Sequence, residues 1–265
     1  MSDFAEKIIH TWQEYVDDIA QRTGSIWVYR GQSKSSWKLQ SSLERSLDAF
    51  EIRPGDRIGV EKHMIRDFRR RYKGPDEELV RSDTLYCVAL MQHYGAPTRL
   101  LDFTYSPFIA AFFALAKVTQ GIVWMLNTEW IFKRRVPKAL FNKRDHDGGR
   151  DDTTFLPLYM EDRCEFANLE NPFVLNERLV VQQGAFLCPG SISVPFEQNV
   201  RSMEGWDDSA HVTKLVLDFD KTQCKAAYHS LMGMNISSAS LFPGLDGYSR
   251  SLRERITLYE GLTQK

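Results

Sequence analysis

The 265-residue chain is poor in cysteine: Cys87, Cys164, Cys188 and Cys224 are widely spaced and contain no Cys-x-x-Cys pair. Structural zinc sites draw their ligands from close pairs, so no metal centre is expected. A chain of this length can bury enough core to fold without disulfides. Long apolar runs are also missing. The longest, Phe108 to Ala116, is nine residues, well short of the ~20 that cross a bilayer as a helix. The first residues, Met1-Ser2-Asp3-Phe4-Ala5-Glu6-Lys7, are polar and do not read as a secretory leader. A soluble, cytoplasmic protein with no membrane partner is expected. Charge of one sign is missing too. The 34 Lys+Arg against 35 Asp+Glu give a formal net charge of −1, which argues against a surface given over as a whole to nucleic acid. There is no Gly-rich phosphate loop, no His-Glu-x-x-His helix and no Gly-x-Ser-x-Gly elbow. P-loop hydrolysis, zincin proteolysis and esterase chemistry therefore lose support.

What is present is ordinary globular composition, 43% hydrophobic and 26% charged, which excludes collagen-like, disordered and coiled-coil classes. Ile8, Ile9, Trp12, Val16 and Ile19 recur at helical spacing, with Asp3 as a candidate cap and Gly24 as a stop. Ser25 to Tyr29 reads as a strand ending at Arg30-Gly31. Residues 57–73 read as a helix. A second helix, opened by Pro75 and Asp76-Glu77-Glu78, should run through Leu79, Leu85, Val88 and Leu90 to Gly95. Arg99 to Phe103 reads as a short strand. Ser106-Pro107 then supplies a cap and a first-turn proline for the apolar helix Phe108 to Val118. Gly121 to Leu126 is a strand, and residues 133–153 read as an exposed excursion with basic and acidic ends. Leu179 to Leu187 reads as a strand bent at Gln182-Gln183-Gly184. Lys214 to Phe219 is a strand, 221–233 a helix, and Pro243 to Gly247 a turn before a last helix. The expected architecture is α+β: one domain with a central mixed or mostly antiparallel sheet flanked by helices. Residues 1–24 should pack on it as a helix, 25–250 form its body, and 251–265 a terminal helix or tail.

Three stretches carry candidate chemistry. Arg30 closes an apolar strand, where a guanidinium suits bidentate capture of phosphate or carboxylate, and Gly31 permits close approach. A structural bridge to a carboxylate is the competing reading. Gln92-His93-Tyr94-Gly95-Ala96-Pro97-Thr98-Arg99-Leu100-Leu101-Asp102 offers an acid or base in His93, an anion clamp in Arg99 and an orienting carboxylate in Asp102. The same residues would equally serve as a network fixing a helix-to-strand corner. Gln182 and Gln183, adjacent in a strand, would point to opposite faces, one toward a pocket. The basic run Arg66 to Lys73, interleaved with Phe68 and Tyr72, is either a nucleic-acid surface or a solvated helix face.

Taken in order, these stretches resemble the FRG domain, a bacterial and phage-associated family named for its aromatic-Arg-Gly motif. The blocks are Tyr29-Arg30-Gly31-Gln32 with Trp37-Lys38-Leu39 and Arg45, and then Gln92 to Asp102. Arg178 with Gln182-Gln183-Gly184-Ala185-Phe186, and Leu241 to Gly247, complete them. Tyr29 stands where the name has Phe. The resemblance implies a toxin or phage-defence context. The chain is also similar, more weakly, to ADP-ribosyltransferases of the Arg-Ser-Glu class. Tyr29-Arg30-Gly31 matches their first element, and Asp102-Phe103-Thr104-Tyr105-Ser106 echoes the Ser-Thr-Ser strand. That resemblance implies NAD as substrate, or another small anion. Tyr29, Arg30, Gly31, Arg99 and Thr104 would bind it, and His93, Asp102 and Gln183 would carry the chemistry. Gln182 and Gln183 stand where a Glu would be expected, and an amide cannot supply its negative charge. Asp102 or Glu177 would have to. The alternative is a non-enzymatic module sensing a phage component or, through residues 66–73, nucleic acid.

Overall fold

Ile8 and Ile9, given by their spacing to a helix, lie in an edge strand, β1 (Glu6–Ile9). The helix starts later, as α1 (Trp12–Gln21), because Thr11 and Glu14 form a reciprocal capping box. Asp3 is therefore not the cap, and the helix stops short of Gly24. The computed structural model describes residues 3–22, 24, 26–116, 121–134 and 152–256.

The remaining strands are β2 (Trp27–Gln32), β3 (Leu101–Thr104), β4 (Gly121–Asn127), β5 (Ala167–Glu170), β6 (Gly184–Pro189) and β7 (Val212–Leu217). They form one seven-stranded sheet in the order β1-β7-β4-β2-β3-β6-β5. Only β1 and β7 run parallel; the other neighbours are antiparallel. The molecule is α+β with a mixed, mostly antiparallel sheet between helices, as expected. Arg30 and Gly31 sit inside β2, since that strand continues to Gln32.

Alternation sorts the side chains into two cores. Val28, Phe103, Trp124 and Leu187 face one side with Phe196 and Val200 of α10 (Phe196–Arg201). Trp27, Tyr29, Val123 and Leu215 face the other, under α1, α6 (Pro107–Leu115) and α11 (Lys221–Gly233). α6 is the expected apolar helix: the Ser106 hydroxyl accepts from the Ile109 N–H at 3.3 Å, and Pro107 fills the first turn. It lies almost on the sheet. A Cβ on Gly31 would meet the Ala110 carbonyl oxygen at 1.8 Å, and one on Gly121 the Ala114 oxygen at 2.2 Å.

Between β2 and β3 come α2 (Ser42–Ala49), α3 (Pro54–Arg71), α4 (Glu77–Ser82) and α5 (Thr84–His93). The single helix expected from Pro75 to Gly95 is two helices. Asp83 adopts extended backbone and its carboxylate accepts from the Tyr86 N–H at 2.9 Å, restarting the chain as α5. After β4, α7 (Thr128–Arg134) and α8 (Asp152–Tyr159) flank residues 135–151, so most of the excursion expected at 133–153 lies outside the described residues. The strand expected over Leu179 to Leu187 is split. Asn176 caps a short helix, α9 (Glu177–Val181), by accepting from the Leu179 N–H at 2.9 Å, and β6 begins only at Gly184. Closing the chain are α12 (Ser238–Leu241) and, after Gly244, α13 (Leu245–Glu254). All four cysteines are free thiols. Among the described residues no helix is long and apolar enough to cross a membrane.

One carboxylate in this frame sets a pH dependence. Glu44 of α2 accepts from the Phe196 N–H at 3.1 Å, and burial pushes its pKa from 4.5 up to about 7. Between those values the folded state binds more protons than the unfolded one, so stability falls as pH rises through this window. Replacing Glu44 with Gln should flatten that slope, measured by urea unfolding across the same window. An unchanged slope would locate the titration elsewhere.

Candidate functional site

β2 and β3 are joined by a single register pair, Tyr29 with Thr104, whereas β2 and β4 are paired from Trp27 to Gln32. Beyond Tyr29 the two strands part. Arg30 bridges the gap, its Nη1 donating to the Asp102 carbonyl at 2.7 Å. A cavity of about 230 Å³ opens at this split, walled by β2, β3, α5, the start of β6 and the α9 turn. Three guanidiniums line it, Arg30, Arg45 and Arg178, against the one carboxylate of Asp102.

Each of these groups is held by its surroundings. Burial pushes the Arg30 pKa down from its ordinary value; Asp102 opposes the shift and Arg45 adds to it. The Arg30 Nε is buried with no hydrogen-bond partner among the described residues. Arg45 donates to the Gln40 carbonyl at 2.7 Å, and Arg178 lies 5.2 Å over the Phe242 ring. Asp102 is exposed at the mouth, its Oδ1 accepting from the Gln92 amide at 2.7 Å. Gln92 is oriented in turn by the Thr98 hydroxyl, which donates to its amide oxygen. His93, at the end of α5, is exposed on the rim with its ring edge-on to Tyr94. The turn after it needs Gly95, whose φ is +85°.

The cavity thus gathers Arg30, His93 and Asp102, with Gln182 of the two glutamines, and leaves out Tyr29, Gly31, Arg99, Thr104 and Gln183. Arg99 is fully buried on the far side of its own turn. Its Nε donates to Glu61 at 2.8 Å, its Nη2 to the same carboxylate and its Nη1 to the Tyr159 carbonyl at 2.7 Å. Burial works against its charge, but the Glu61 carboxylate and its hydrogen bonds outweigh that and raise its pKa. Tyr29 is in the core under α6, where burial raises its pKa to about 12, and Gly31 is the contact point for α6. Thr104 holds the turn that ends α9, donating to the Gln182 carbonyl at 2.7 Å. Gln183 is exposed and left-handed at φ +47°, and its carbonyl accepts from Tyr105. Gln182 is the glutamine that lines the cavity, its side chain donating to the Leu241 carbonyl at 3.0 Å. The two glutamines belong to a turn, so the strand rule of opposite faces does not apply to them. Arg45, Gln92 and Arg178 are site residues that side-chain chemistry alone did not single out. The signal for them is their place in the motif blocks beside Arg30, His93 and Gln182.

Fold and cavity together define an α+β domain with an arginine-lined cleft where its central strands separate. Residues 25–121 match the family model of the FRG domain, and the chain carries an FRG domain. The match takes in β2, β3 and α6, and with them Arg30, Arg45, His93 and Asp102, but ends before Arg178 and Gln182. No curated protein and no solved structure matches the chain.

Proposed function

We propose that the cavity binds NAD and that the protein transfers ADP-ribose from it, or hydrolyses it, as a toxin or phage-defence effector inside the cell. The observation that carries this reading is Arg30: a cavity-lining guanidinium with an unpartnered Nε, beside two further arginines, suits a phosphate. The sheet order supports it. The aromatic-Arg-Gly strand, the strand before the Ser106 cap and the Gln182-Gln183 turn are the three elements named by the ADP-ribosyltransferase resemblance. They lie side by side, as β2, β3 and the start of β6. At about 230 Å³ the cavity is below the ~300–1,000 Å³ of typical whole-ligand pockets. It takes one phosphate with its ribose and base, and the rest of the dinucleotide lies across the exposed rim.

In this reading Arg30, Arg45 and Arg178 hold phosphate, and Gln182 contacts the ribose or target. Asp102 replaces the missing Glu. Its negative charge stabilises the positive centre that develops as the bond between ribose and nicotinamide breaks, with the electron pair leaving on nicotinamide. His93 takes the proton from the attacking water or target nucleophile. Nicotinamide release from NAD tests this. The wild type should release it, and Asp102→Asn should lower the rate by about 10²–10³ with an unchanged melting temperature, since this carboxylate is exposed. No release by the wild type overturns the catalytic half and leaves the cavity a binding site.

A further inference from the structure

The basic run at 66–73 is divided by α3 into two faces. On one, Lys62, Arg66, Arg69 and Arg70 recur at helical spacing, and Arg81 of α4 joins them around a cavity of about 500 Å³ over Ile65 and Met160. Five cations and no carboxylate line it among the described residues. Arg69 is fixed in place, donating to the Val80 carbonyl at 2.9 Å and to the Thr84 hydroxyl at 2.7 Å. Arg81 pairs with Glu77 at 2.6 Å and Arg66 with Asp67 at 3.4 Å. Lys62 and Arg70 are exposed and make no ion pair among the described residues.

On the other face, Phe68, Tyr72 and Tyr94 line a second cavity, of about 680 Å³, together with Arg71, Lys73 and one carboxylate, Asp67. Lys73 is paired with Glu77 at 2.9 Å. The Phe68 and Tyr72 rings stack at 5.8 Å, and Tyr94 is 66% exposed at 6.5 Å from Phe68. Tyr94 follows His93 and precedes Gly95, both of which line the Arg30 cavity, and Ala96 lines both cavities.

From this juxtaposition we infer that the α3 surface binds single-stranded nucleic acid. The phosphates lie over the five-cation cavity and the bases stack on Tyr94 and its aromatic neighbours. Cations alone would suit any polyanion; the exposed Tyr94 ring across α3, backed by the half-buried Phe68 and Tyr72, selects for bases that are free to stack. A duplex keeps its bases inside and cannot use the rings. The near-neutral total charge is no obstacle, because the potential is local. The surface does not depend on the NAD reading, although it brings a bound strand to the rim of that cavity.

Fluorescence anisotropy with a labelled thymidine strand of about 20 nucleotides tests the inference, with a duplex of equal length and inorganic polyphosphate as competitors. The strand should bind more tightly than the duplex, and log affinity should fall linearly with log salt. Lys62→Glu with Arg70→Glu should weaken binding at least about tenfold and reduce the slope by about 1.4, at ~0.7 per phosphate on a single strand. Tyr94→Ala should weaken it by about fivefold to a hundredfold. All three positions are exposed, and an unchanged melting temperature confirms that the variants fold. Arg30→Ala should leave strand binding intact, so failure here and failure of the NAD reading can be told apart. Binding without salt dependence overturns the inference. So does competition by duplex or polyphosphate equal to that of the strand, with Tyr94→Ala silent.

Discussion

Replacing Arg99 with Ala is expected to remove about 3–5 kcal/mol of stability, the cost of leaving a buried charge without its partner. Arg99 is fully buried and Glu61 3% exposed, so the carboxylate is left inside the protein without its counter-charge. The Tyr159 carbonyl loses its donor in the same step. Replacing Arg99 by Met and Glu61 by Leu together should recover most of the loss, because removing both charges removes the desolvation cost of each. Urea unfolding of the single and double variants measures both. If Arg99→Ala costs less than about 1 kcal/mol, the pair does not hold this turn.

Gly31→Ala is expected to cost about 3 kcal/mol, at or above the upper end for overpacking. The added carbon would stand 1.8 Å from the Ala110 carbonyl oxygen and 2.7 Å from the Ala114 nitrogen. Both are backbone atoms of α6, so relief requires the helix to move off β2 as a unit. That shift would also widen the split where Arg30 sits, and ligand affinity should fall with stability. Gly59, exposed in the interior of α3 with nothing within 4 Å of an added Cβ, is the control. There Gly→Ala should stabilise by about 0.5–1 kcal/mol, since only backbone entropy changes. A neutral Gly31→Ala, by thermal or urea melts, would mean that α6 and the sheet are not in this contact.

Elements whose cause is local were legible in the sequence. Ser106-Pro107 sets the start of α6, and the pattern at 221–233 gives α11 at its observed bounds. β1 was not, because Ile8, Ile9 and Trp12 satisfy helical spacing. What makes Glu6–Ile9 a strand is pairing with Lys214–Leu217, more than 200 residues away. α9 was hidden for the opposite reason: Leu179-Val180-Val181 has strand composition, and a single Asn176 cap overrides it. In the site, Arg30 and Arg99 read alike, each an arginine in a motif beside β-forming residues. Their fates diverge through partners that motif spacing does not reveal: Arg30 faces a gap between strands, whereas Arg99 meets Glu61, 38 residues earlier. Arg45 and Arg178 complete the cavity from α2 and α9, and only the folded chain brings those helices to β2.

In the proposed function, the split between β2 and β3 holds a phosphate-bearing ligand, with Arg30 at its centre. Calorimetric titration of NAD into the wild-type protein and into Arg30→Ala tests it most directly. Saturable binding to the wild type is expected, with a loss of at least about tenfold in the variant, the ~1.5–3 kcal/mol of a charge-assisted hydrogen bond. Equal binding by both proteins, or none by the wild type, would contradict it.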